Sequence, residues 1–143
     1  WGVAVIAAAL KPDIHAAELL AALSHDTPEL FTGDIPAPFK EELERVCDGV
    51  IEGREADIKR SYFLPAFADF CDGGCCAQVA AVVRIADKLE ALYHTSQAPT
   101  TPQSLKVNRG LAFSAERLLE DYREELSDAQ YALVGTLIER WSK

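Results

Sequence analysis

Apolar residues recur at every third or fourth position along most of this chain, the period of a helix that buries one face. Trp1 to Leu10 is apolar almost throughout and predicts a core helix. Lys11-Pro12-Asp13 then breaks it, with Asp13 placed to cap the next helix. Ile14, Ala17, Ala21 and Ser24 stripe that second helix, which ends near His25-Asp26. Pro28, Gly33, Pro36 and Pro38 make residues 27–38 a loop with short helical turns at most. Phe39, Leu43, Val46 and Val50 set a third helix that Gly53 can interrupt, and Ile58 to Phe70 carries a weaker pattern broken by Pro65. Cys71-Asp72-Gly73-Gly74 is expected as a turn. Val79, Val82, Ala86, Leu89 and Tyr93 form the most regular stripe in the chain. A polar loop is expected from Ser96 to Ser104, followed by a helix on Leu111, Ala115, Leu118 and Tyr122. The last helix opens at Ser127-Asp128-Ala129-Gln130, a capping box, and would bury Tyr131, Val134, Ile138 and Trp141. No stretch alternates with the period of a strand, and no repeat is present. The expected fold is all-α: a compact bundle of five to seven helices, in one domain over residues 1–143.

Composition narrows the function classes. The chain has 143 residues, 49% hydrophobic and 26% charged, with a formal charge of −9. That is enough chain to bury a real core. The negative balance argues against a nucleic-acid polymer as partner, because such binding is driven by neutralising phosphates with a basic face. It leaves a single nucleotide open. No apolar run reaches the length of about 20 residues that a membrane span needs, so no membrane partner is expected. The sequence contains no methionine, and residues before Trp1 are expected to belong to the protein. Cys47, Cys71, Cys75 and Cys76 do not have zinc-site spacing and are expected as reduced cytoplasmic thiols.

Two places carry candidate chemistry. His25-Asp26 closes an apolar helix and enters a Pro/Gly loop that also holds Glu29 and Asp34. An imidazole beside a carboxylate is a donor set for a hydrolytic divalent cation. Asp87 lies inside the most regular helix, where aspartate is a poor helix former, and it neighbours the core stripe. It could equally belong to a solvated charged face with Lys88 and Glu90.

The segment LLAALSHDTPELFTGDIPAPFK, Leu19 to Lys40, resembles the signature of the HD-domain phosphohydrolases, in particular bacterial 5′-deoxynucleotidases and related phage enzymes that remove triphosphate from dATP. The matching positions are His25, Asp26, Glu29, Gly33, Asp34, Ile35, Pro36, Pro38 and Lys40. RIADKLEALY, Arg84 to Tyr93, resembles the family's helix with the last metal-ligand aspartate. The resemblance covers about a quarter of the chain.

It implies a divalent metal ion (Mn2+, Co2+, Zn2+ or Mg2+) held by His25, Asp26 and Asp87, with a first histidine expected about two residues before Trp1. It implies Glu29 as the group that orients or deprotonates the attacking water; as a plain residue, Glu29 could simply favour the start of a short helix. Asp34 would take a catalytic and sugar-facing role, or alternatively bond its own turn. Pro38, Lys40 and Arg84 would contact the substrate, although both cations could be solvated instead. His15 is expected to be exposed, and His94 lies on the helix face of Asp87. The implied substrate is a deoxynucleotide, most simply a deoxynucleoside 5′-monophosphate; a dNTP triphosphohydrolase and a noncatalytic helical domain are the alternatives. The resemblance also implies a cytoplasmic homo-oligomer, in the host cytoplasm if the chain is phage-encoded.

Overall fold

A computed structural model describes residues 2–24, 26–33, 35, 37–62, 77–98 and 100–142. The fold is all-α. Among the described residues there are seven helices of nine residues or more, one further single turn, and no strand. In chain order they are α1 (Gly2–Leu10), α2 (Ala16–Ser24), the turn α3 (Glu29–Thr32), α4 (Ala37–Cys47), α5 (Val50–Tyr62), α6 (Ala77–Ser96), α7 (Pro102–Asp121) and α8 (Asp128–Trp141). None of the described helices is long and apolar enough to cross a membrane. The chain forms two compact units: Trp1–Ala22 with Cys76–Lys143, and Leu23–Cys75.

The first unit is built on α6. Val79, Val82, Ile85, Ala86, Leu89 and Leu92 are buried along it, following the stripe seen in the sequence. Helix α1 packs on α6 through Val3, Ala4, Ala7 and Leu10, where small residues allow close approach. Helix α7 packs on another side of α6 with Ala112, Ala115 and Leu119, and α8 closes the core with Val134 and Ile138. Each fully buried leucine or isoleucine here contributes about 1.5–3 kcal/mol.

Helix ends explain the boundaries. The Ser127–Gln130 capping box forms as expected, with side chain and backbone bonded in both directions. The Gln130 side-chain amide then donates to the Leu10 carbonyl at 2.9 Å, satisfying an acceptor at the end of α1. Helix α7 starts at Pro102, inside the stretch expected as loop, because Thr101 and Ser104 make a second capping box with proline at the first helical position. Asp13 does not cap α2. That helix starts at Ala16, the Glu18 carboxylate accepts from the His15 backbone N–H at 2.7 Å, and Asp13 pairs with Lys11 instead. The inward residue of α2 is Ala22, not Ala17, which is exposed.

In the second unit, α4 packs on α5, and α3 also meets α5. The break between α4 and α5 falls at Asp48 and Gly49, both with positive φ (43° and 75°), rather than at Gly53, which lies within α5. Two successive residues in the left-handed region reverse the chain, and the second is glycine, for which that conformation costs little. The apolar stripe of α4 is largely exposed: Phe39 is 57% and Val46 65% accessible. Periodicity identified the common face of this helix but not whether anything packs against it. The expected turn at Cys71-Asp72-Gly73-Gly74 and the pattern beyond Tyr62 lie outside the described residues.

Candidate functional site

Asp26 and Glu29 sit in one compact turn of the second unit. The Thr27 N–H donates to the Ser24 carbonyl at 3.0 Å, and the Glu29 N–H donates to the Asp26 carbonyl at 2.9 Å. Pro28, fully buried, begins α3 with φ −57°, and its ring removes a donor that the helix start cannot use. Gly33 ends the turn at φ 77°, with its N–H on the Glu29 carbonyl at 2.9 Å. The Pro and Gly seen in the sequence therefore have defined work: they start and stop a single helical turn between Asp26 and Gly33. Both carboxylate residues are exposed.

Lys40 lies in the first half of α4. Its ammonium donates to the Glu55 carboxylate on α5 at 2.7 Å. Lys40 is thus positioned by a partner fifteen residues away, which no local pattern signals. Pro38 falls in the first turn of α4, where proline is tolerated. Its side chain, like His25, Asp34 and Pro36 as a whole, lies outside the described residues.

Asp87 and Arg84 belong to the first unit, one turn apart on α6. The Asp87 side chain is 43% accessible and lies 3.7 Å from the Lys88 ammonium. Its neighbour Ala86 is fully buried, so Asp87 stands at the edge of the core stripe. The Arg84 guanidinium donates to the Tyr122 hydroxyl at 2.7 Å, at the end of α7. Tyr122 was expected only as part of an apolar stripe; its hydroxyl gives it a second task. His94 is exposed and lies 3.8 Å from Glu90, and His15 is exposed.

Among the described residues, no group of three or more His, Cys, Asp or Glu side chains is arranged to hold a metal ion. The described carboxylates of the expected donor set, Asp26 and Asp87, fall in different units. By chemistry, two carboxylates and the imidazole of His25 suit a divalent cation that drives hydrolysis. Cys47 is exposed and free, while Cys71, Cys75 and Cys76 lie outside the described residues. The chain matches no family model, no curated protein and no solved structure.

Proposed function

We propose that this protein is a metal-dependent phosphohydrolase of deoxynucleotides, acting most simply on deoxynucleoside 5′-monophosphates. One observation carries the proposal: the ordered motif from His25-Asp26 through Glu29, Gly33-Asp34 and Pro36-x-Pro38-x-Lys40, joined to a second helix bearing Asp87. The hydrogen-bonded turn that holds Asp26 and Glu29 in one short segment agrees with it.

In this proposal His25, Asp26 and Asp87 hold the cation. When bound, a divalent cation supplies charge for the phosphoryl oxygens and lowers the pKa of water. Glu29 takes the proton of the attacking water, a role that requires a carboxylate near the donor set but not part of it. Asp34 accepts hydrogen bonds from the sugar. Lys40 and Arg84 meet phosphate oxygens, and Glu55 and Tyr122 hold those two cations in place beforehand. Pro38, in the first turn of α4, contacts the substrate on the base side. A cytoplasmic homo-oligomer is part of the same proposal.

The test is product analysis with the full-length protein on dNMPs, NMPs and dNTPs in Mn2+, Co2+, Zn2+ or Mg2+. Orthophosphate from dNMPs alone is expected. Inorganic triphosphate from a dNTP would move the substrate to the triphosphohydrolase class. No turnover of any nucleotide with any of these metals would refute the enzymatic proposal.

A further inference from the structure

The 25 residues between Glu90 and Glu116 form the longest stretch of the chain without a carboxylate, in a protein with 23 acids and 14 Lys and Arg. This stretch supplies the end of α6 and most of α7. On α7, Lys106, Gly110, Phe113 and Arg117 recur at helical spacing along one outward face, with Arg109 at its margin. Lys106, Arg109 and Arg117 are exposed, and among the described residues none of the three has an ion-pair partner. At their centre Phe113 is 62% accessible, the most exposed aromatic among the described residues. Acids border the face rather than neutralise it: Glu116 lies on its flank, Asp121 at its far end, and Glu120 accepts from the Tyr131 hydroxyl.

The opposite side of α7 is fixed. Ala112, Ala115 and Leu119 are buried, and the buried Asn108 side chain donates to Thr95 Oγ1 and to the Trp141 carbonyl. The face is therefore presented on a rigid helix, with an apolar centre and a positive margin on an otherwise acidic protein. From Lys106 to Arg117 it spans about 16 Å. That suits a small, transient contact rather than a permanent interface.

We propose that this face of α7 docks an acidic protein segment that sets one apolar side chain on Phe113 and carboxylates on Lys106, Arg109 and Arg117. A protein segment is favoured over a nucleic acid because the exposed Phe113 offers a seat for an apolar side chain, while three cations are few for the multiple phosphate contacts that drive binding of a nucleic-acid polymer. The proposal is independent of the phosphohydrolase assignment.

The experiment uses the full-length protein and a fluorescein-labelled amphipathic peptide of about 15 residues, glutamate on one face and leucine on the other. Binding is followed by anisotropy, with an oligo(dT) of similar length and sedimentation of the protein alone as parallel arms. The peptide should bind, and about tenfold more weakly as NaCl rises from about 50 to about 300 mM. Binding should be lost in K106E/R109E/R117E and weakened about tenfold in Phe113→Ser, with helicity and Tm unchanged in both. Three results would overturn the proposal: peptide affinity unaltered in the variants or absent from the wild type, tighter binding of oligo(dT), or self-association that the triple variant abolishes.

Discussion

Lys11 and Asn108 are buried polar side chains of the described core, and each is there because of specific partners. The Lys11 ammonium lies 3.2 Å from Asp13 and 3.5 Å from Glu18. Burial disfavours its charge, but the two carboxylates outweigh burial and raise its pKa above the ordinary 10.5. The hydrogen bond from Lys11 in turn holds the Asp13 carboxyl below the ordinary 3.8. The signs fix the pH dependence. The Asp13 contribution is present above about 3.8 and is lost as pH falls through the depressed value; the Lys11 contribution is present below about 10.5 and is lost as pH rises through the elevated one. Lys11→Met should therefore lower Tm by a constant amount at neutral pH, with the difference shrinking at both extremes. Thermal melts across pH check this, and a difference that grew below pH 3.8 would contradict it. Asn108→Ala removes donors to Thr95 and to the Trp141 carbonyl. It should destabilise by about 2 kcal/mol in urea unfolding. Neither burial was legible in the sequence. Asn108 finds its carbonyl partner thirty-three residues away, and a lysine beside a proline resembles any surface helix end.

Elements were legible where the sequence contained both a stripe and a stop signal. Helix α6 and the start of α8 follow directly from the Val79–Leu89 periodicity and the Ser127–Gln130 box. Ser127→Ala should cost about 1 kcal/mol by removing that cap, and somewhat more if the Gln130 bond to Leu10 loosens with it. The break after α4 was misplaced to Gly53 because glycine alone does not show which residue takes positive φ. Gly49 does, at φ 75°, so Gly49→Ala should destabilise by about 1 kcal/mol, whereas Gly53→Ala in mid-helix should stabilise by up to about 1 kcal/mol. Chemical denaturation of the two variants compares them directly; equal effects would mean that the left-handed turn is not where the structure has it. The loop before α7 was expected to run to Ser104 because Thr, Pro, Gln and Ser all suit loops. The same residues, in the order Thr101-Pro102-Gln103-Ser104, also make a helix start.

At the scale of the whole molecule the all-α bundle was readable from the 3.6-residue period alone. The candidate site was readable only as a motif: Asp26 and Asp87 lie about sixty residues apart in sequence and fall in different units, so no local pattern relates them. What the structure adds is local. It ties Asp26 and Glu29 into one turn, and it gives Lys40 and Arg84 their partners in Glu55 and Tyr122. If those partners position phosphate-binding cations, Glu55→Gln should raise KM for a deoxynucleotide while leaving the melting temperature nearly unchanged, because an exposed or half-exposed pair contributes little to stability. The central claim of the proposed function is that His25, Asp26 and Asp87 hold the same divalent cation. Manganese binding to the full-length protein, measured by calorimetry beside Asp26→Ala and Asp87→Ala, tests it most directly. One Mn2+ per chain is predicted, with each substitution alone weakening it about a hundredfold or more, since even residues behind metal ligands matter by 10–100-fold. Manganese affinity unchanged in both variants would contradict the account.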